Sequence, residues 1–316
     1  MIESHPTFVP APRPRQDWRL RTRTLGLGAR TLVMGVVNLT PDSFSDGGRF
    51  AAPEQAVEQA LRLLRHGAAI VDLGAESTRP GSRAGNPAHA AVSAAEEQDR
   101  LLPVLEMLRR ARPDAVISVD TYKAATAHAA LAVGAEIVND VSGFTWDEAM
   151  PEVCAASGCG VVLMHTRGRP DEWRQQPQLA PDAVVAMVRE GLAESLSRAA
   201  AAGLASDAIV LDPGYGFGKR MEENYALLRA QSSLLALGRP LLAGLSRKSF
   251  LRQALALHTG REVRNRQMPG RASVEHASLA GLTAAILCGA SIVRVHSVAA
   301  AFEAAAVADM LLEAQS

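Results

Sequence analysis

The chain is poor in several things that carry function in other proteins. Its 316 residues contain three cysteines, Cys154, Cys159 and Cys288, at spacings that make no metal-ligand pattern. An odd count also argues against a disulfide framework. Formal net charge is +0, so no broad field favours nucleic acid or an anionic membrane surface. No apolar run reaches the ~18 residues that a membrane span needs. The N-terminal stretch MIESHPTFVPAPRPRQDW lacks the apolar block of a secretory signal, so a cytoplasmic, reduced protein is expected. Lysine is the sharpest shortage. Of 33 basic residues only Lys123, Lys219 and Lys248 are lysines, all just after expected strands. A compact ammonium and a planar guanidinium are not interchangeable at a tight polar contact, so these positions merit attention.

What the chain has is hydrophobic residue, 48% of it, in short runs. Residues 1–17 are proline-rich and without periodicity, an expected flexible or draped arm; residues 18–316 are expected to form one domain. The stretch WRLRTRTLGLGARTLVMGVV alternates and predicts a short hairpin turning at Gly26–Gly28. Apolar runs at 32–37, 69–74, 115–120, 136–140, 160–165, 208–212, 240–245 and 291–296 then alternate with stretches of helical period, such as 54–66, 94–111, 123–133, 182–202 and 222–236. Strands apolar almost throughout are covered on both faces, as in parallel sheets. Eight such units predict a closed (β/α)8 TIM barrel rather than an open sheet, which would want a glycine-rich dinucleotide turn.

Nearly every strand ends in a polar side chain: Asn38, Asp72, Asp120, Asn139, His165, Asp212, Ser246 with Lys248, and Arg294 with His296. In a barrel all carboxyl ends meet at one rim, where active sites are built. Asp120, Asn139 and Asp212 suit a flat heterocycle with several N–H donors, because a carboxylate accepts two parallel bonds. Helix capping is the alternative for Asp120 alone. Asp212 is followed by the glycine loop PGYGFGK. GLSRKSFL runs from a strand into a helix start that Ser246 or Ser249 caps, with free N–H groups that attract an anion. Arg294 and His296, two apart, project to the same side and suggest a phosphate or pyrophosphate site. No residue reads as a nucleophile with a base beside it, so positioning and electrostatics are favoured over covalent catalysis.

Taken in order, MGVVNLTPDSFSDGG, DLGAESTRPG, ISVDTYK, IVNDVSG, LMHTRG, VLDPGYGFGK, GLSRKSF and IVRVHS resemble the dihydropteroate synthases, the pterin-binding folate enzymes, over residues 32 to 312. The resemblance implies condensation of 6-hydroxymethyl-7,8-dihydropterin diphosphate with 4-aminobenzoate by dissociative, SN1-like loss of pyrophosphate, with Mg2+ required. It implies that Asp120, Asn139, Asp212 and Lys248 hold the pterin. Asn38, Arg294 and His296 bind the diphosphate, Asn38 through the metal. Phe44, Thr78, Arg79, Pro80 and Ser249 border the aminobenzoate. Asn38, Arg79, Asp120, Lys248, Arg294 and His296 are the expected catalytic set. NLTPDSFSDGG then reads as a mobile catalytic loop. Sulfonamide competition and a homodimer through outer helices are further expectations. Rival readings are a methyltetrahydrofolate methyltransferase, with no need for the diphosphate-binding motifs, and a noncatalytic pterin-binding paralogue. The chain departs from the family at Ala75, Tyr122, Arg167, Ser297 and the long basic stretch 258–276; Tyr122 is expected to narrow the pterin site.

Overall fold

The computed structural model describes residues 10–11, 13–40, 48–78, 82, 84, 92–258 and 271–314, with main chain alone at 48–52 and 271. An antiparallel hairpin, β1 (Gln16–Arg19) and β2 (Thr24–Leu27), precedes eight parallel strands that close on themselves. These are β3 (Leu32–Asn38), β4 (Ile70–Gly74), β5 (Val116–Asp120), β6 (Ile137–Asp140), β7 (Gly160–Met164), β8 (Ile209–Asp212), β9 (Leu241–Ala243) and β10 (Ala290–Val295). Outside run α1 (Gly48–Arg65), α2 (Ala94–Ala111), α3 (Ala124–Ala132), α4 (Met150–Ser157), α5 (Pro181–Ala201), α6 (Met221–Arg229), α7 (Ser249–His258), α8 (Arg271–Leu287) and α9 (Val298–Glu313). This is the TIM barrel that the eight apolar runs predict. The hairpin's turn, however, lies at Leu20–Arg23, where the Leu20 N–H donates to the Arg23 carbonyl at 2.8 Å. Gly26 and Gly28 instead end β2 and swing the chain into the barrel.

The strands bury both faces, and each face has its own partners. One apolar cluster lies between strands and helices. A second takes one side chain from every barrel strand: Met34, Ile70, Val116, Ile137, Val162, Val210, Leu242 and Ile292. Trp18, Leu20 and Leu27 of the hairpin join it and plug the amino-terminal end of the barrel. Trp18 is fully buried and satisfies its indole N–H on the Ala208 carbonyl at 2.9 Å. The plug fits only because Gly160 has no side chain: a Cβ there would collide with Leu20 and lie 3.2 Å from the Trp18 indole nitrogen.

The described part of the arm is draped on the barrel. Arg13 donates to Asp309 of α9 at 2.7 Å and to Thr31 at 2.6 Å, and Asp309 also accepts the Thr31 N–H at 2.8 Å. Most of the 258–276 stretch lies outside the described residues; its ends belong to α7 and α8.

Candidate active site

The inner cluster fixes which side chains enter the cavity. Side chains along a strand alternate between faces, so residues two and four beyond the plug layer also point inward. Counting from Met34, Ile70, Val116, Ile137, Val162, Val210, Leu242 and Ile292 gives a middle layer of Val36, Asp72, Ser118, Asn139, Met164, Asp212, Gly244 and Arg294. The next step reaches Asn38, Gly74, Asp120 and His296. Of the strand-end polar residues expected from the sequence, all on this count face one mouth but His165. It is odd in this count, and its ring lies over Gly191 of α5, where a Cβ would come within 2.6 Å of it. Burial, then the nearby Lys219 charge, pushes its pKa well down, so it is a neutral packing side chain outside the site.

At the centre of the mouth Arg294 bonds two carboxylates. Its Nε donates to Asp72 Oδ2 and its Nη2 to Asp120 Oδ2, each at 2.6 Å. Asn139 Nδ2 donates to the same Asp72 oxygen at 3.1 Å, while the other Asp72 oxygen is buried without a partner. Asp72 was missed as a site residue, although a carboxylate inside an apolar run was itself a signal. Burial pulls the Arg294 pKa down, but Asp72 and Asp120 more than offset it, so the guanidinium is held charged. Burial raises Asp120 to about 7 against the pull of Arg294, with Asp72 and Glu97 adding to the rise. Asp120 is not the cap of α3, whose N-cap position is Lys123.

The far wall is the loop after β8. Asp212 accepts the Gly214 N–H at 2.7 Å, and burial raises its pKa. Gly214, at φ +68, must lack a side chain because a Cβ would collide with the His165 carbonyl. Lys219 ties this loop down by donating to the carbonyls of Gly214 at 2.8 Å and of His165 and Phe217 at 3.3 Å. Lys248 places its ammonium 3.9 Å from the centre of the Phe217 ring, and its stem passes Gly216. Burial, then Arg294, lowers Lys248 to about 8. Its neighbour Arg247 takes a left-handed φ of 60, fixed by its N–H on Ser278 and its guanidinium on Glu275.

The Ser246 hydroxyl lies 3.1 Å from His296 Nδ1 and accepts the His296 main-chain N–H at 3.3 Å, which ties the imidazole to the loop after β9. Ser249, exposed at the start of α7, stands at the edge of a cavity of about 490 Å³ that also touches Lys219, Arg220 and Phe250. Thr78 is half-buried after β4. Phe44, Arg79 and Pro80 lie outside the described residues. Tyr122 is buried in an aromatic and aliphatic cluster with Ala84, Val141, Met164, Trp173 and Phe217, its ring edge-on to Trp146 at 5.1 Å.

Three carboxylates, Asp72, Asp120 and Asp212, thus face two cations, Arg294 and Lys248. The mouth combines acceptors with cations and the Phe217 ring, rather than making a plain anion trap.

A model of the pterin binding enzymes matches residues 34–296. The dihydropteroate synthase of Mycobacterium leprae is 43% identical over 89% of this chain and 94% of its own. That of Synechocystis is 38% identical over 90% of this chain and 91% of its own. Among solved structures, dihydropteroate synthase of Xanthomonas albilineans with 4-aminobenzoic acid superposes with a TM-score of 0.79 at 38% identity, covering 95% of this chain and 98% of the other. The same enzyme in complex with 7,8-dihydropteroate gives 0.76 at 37%, covering 93% and 98%. With matches of this length and a mouth of this composition, the chain belongs to the pterin-binding enzymes, in the dihydropteroate synthase family.

Proposed function

We propose that this protein joins 6-hydroxymethyl-7,8-dihydropterin diphosphate to 4-aminobenzoate, giving 7,8-dihydropteroate and pyrophosphate. The observation that carries the reading is the inward ring itself: Asp120, Asn139, Asp212, Lys248 and Arg294 stand at one barrel mouth beside the Phe217 ring. The acceptor side chains Asp120, Asn139 and Asp212 match the N–H-rich edge of a pterin, and the Phe217 ring lies beside them under the Lys248 ammonium. Lys248 supplies a compact donor to a ring acceptor. Arg294 and His296 sit one layer apart on the same inward line, where a diphosphate on the pterin's methylene would lie.

Among the described residues no three His, Cys, Asp or Glu side chains form a metal cage. Asn38 offers one amide oxygen at the rim. That fits Mg2+, which keeps several waters and takes other ligands from substrate phosphate. Asn38 would hold the ion, and the bound ion would neutralise charge on the leaving diphosphate. The C–O bond breaks with its electron pair leaving on pyrophosphate, and the exocyclic carbon shares its positive charge with the pterin ring. The aryl amine then forms the C–N bond and sheds a proton. Arg294 and His296 stabilise the departing charge, which accounts for a site without a nucleophile. Thr78 and Ser249 border the aminobenzoate, together with Phe44, Arg79 and Pro80 of the two loops.

Residues 18–316 act as one domain in this reading, and the protein works as a homodimer. The exposed apolar residues Phe302, Val307, Met310 and Leu311 of α9 support the dimer, because a solvated helix surface is ordinarily polar. Light scattering of the purified chain at twice the monomer mass is the expected result. No described helix is long and apolar enough to cross a membrane; work in the cytoplasm is part of the proposal. The experiment for the reaction is pyrophosphate release from dihydropterin diphosphate, 4-aminobenzoate and Mg2+, competed by a sulfonamide. Release no faster than without protein removes the reading.

A further inference from the structure

Lys123 is not one of the inward strand residues, yet its ammonium holds two carboxylates, as Arg294 does at the mouth. It lies three positions beyond Asp120, on the connection into α3. Its ammonium pairs with Glu76, two residues before Thr78, and with Glu97 of α2 at 3.2 Å. Glu97 also accepts from Thr121 at 3.2 Å and from Thr126 of α3 at 2.7 Å. The Lys123 ammonium rests 4.3 Å from the centre of the Tyr122 ring. The side chains of Glu76 and Glu97 are only 4% and 1% exposed, so two carboxylates and one ammonium are taken out of water together.

Such a cluster is a poor way to gain stability, because desolvating ions costs about what their attraction returns. What it does provide is a fixed geometry. Glu97 sits on a long helix whose own start is locked by the Ser93–Glu96 capping box. Lys123 leaves a barrel strand. Glu76, by contrast, belongs to the chain that leaves β4 at Gly74; Arg100 of α2 holds the main chain there by donating to the Ala75 carbonyl at 3.1 Å, and the Glu76 side chain is held by Lys123. A second described point of the same connection, Ala84, is fully buried and packs in the cluster of Tyr122 and Trp146. The segment after β5 thus meets the β4 connection at Glu76, through Lys123, and shares with it the apolar cluster that holds Ala84. The position of Tyr122 in this cluster gives the residue a docking role.

We propose that Lys123 is a positioning residue for the aminobenzoate side of the site: it clamps Glu76 against Glu97 and thereby sets where Thr78 stands. The inference rests on the synthase reading for its kinetic consequence, while the clamp itself has a readout that needs no turnover.

The variant is Lys123→Met, which keeps an unbranched apolar side chain of similar length and removes the ammonium. Hydrogen exchange, followed by mass spectrometry on a peptide covering 70–78, is expected to rise at amides 75–78. In turnover assays the KM for 4-aminobenzoate is expected to rise about tenfold, as small misplacements do, while the calorimetric Kd for dihydropterin diphosphate stays within about twofold. A merely structural role would weaken both substrates together, and that result overturns the proposal. Unchanged exchange at 75–78 overturns it as well. If Lys123→Met does not fold, Glu76→Gln breaks the same pair at constant shape and is held to the same split. Failure of the wild-type chain to release pyrophosphate would remove the synthase reading and leave the exchange result to judge the clamp.

Discussion

Asp72 holds Arg294 by its Nε at 2.6 Å, at the middle of the barrel and out of contact with solvent. The bond fixes one end of the guanidinium and leaves the other to Asp120, also at 2.6 Å. Asp72→Ala would strip one of two anions from a part-buried cation and open a small void. We expect a loss of about 3 kcal/mol in unfolding free energy, the scale for breaking one side of a buried pair. Guanidinium denaturation measures it. A change below about 1 kcal/mol, the surface ion-pair scale, would mean that Arg294 finds water instead.

The barrel was legible because parallel strands buried on both faces leave apolar runs that nothing else in the chain mimics. The site was legible in part. Asn38, Asp120, Asn139, Asp212, Arg294 and His296 fall on inward positions, and Lys248 reaches the mouth from the loop after β9. His165 fails because a polar residue at a strand end is not enough; parity decides, and counting from Val162 gives Met164 inward and His165 outward. Asp72 was visible as a charge but not as a partner, since the residue it binds is 222 positions away. Phe217 looked like one member of a glycine loop, and only the fold puts Lys248 across its face. The hairpin turn was misplaced because glycines mark turns locally, whereas Leu20 is drawn into the plug by the barrel interior.

Lys248→Arg keeps the charge and should still fail. The lysine stem passes Gly216, where even a Cβ would stand 3.3 Å from its Cδ, and the ammonium is centred over Phe217. A planar fork in that slot displaces either the ring or the pterin. The expected result is about a hundredfold weaker binding of dihydropterin diphosphate, roughly 2.7 kcal/mol, by calorimetry. Binding within about threefold of wild type, under 1 kcal/mol, would show that the lysine's shape is immaterial.

Chelation separates the roles of Asn38 and Arg294. If Mg2+ bridges Asn38 and the diphosphate, EDTA abolishes pyrophosphate release, and added Mg2+ restores it. Asn38→Ala should raise the Mg2+ concentration needed for half-maximal rate by about tenfold, as loss of one ligand among several does. Binding of a pterin that lacks the diphosphate should be unchanged in the same variant. Equal Mg2+ requirements in wild type and Asn38→Ala would place the ion elsewhere.

The pH profile tests the floor of the site. Asp120 is raised to about 7, first by burial and then by Asp72 and Glu97, with Arg294 and Lys248 pulling the other way. To accept a pterin N–H it must be ionised, so kcat/KM for dihydropterin diphosphate should climb through about pH 7. Lys248 is lowered to about 8, first by burial and then by Arg294, while Asp212 and Asp120 support its charge. Its donor role requires the proton, so kcat/KM should fall above about 8, leaving a narrow bell. The stability of the free protein runs in the opposite sense for Asp120. A carboxylate raised in the fold favours folding at low pH, and that contribution is lost as pH rises through about 7. Asp120→Asn should therefore remove the acid limb of the bell and flatten the decline in melting temperature between about pH 4 and 7. An acid limb that survives Asp120→Asn would belong to the substrate's diphosphate, and the floor would then be ionised throughout.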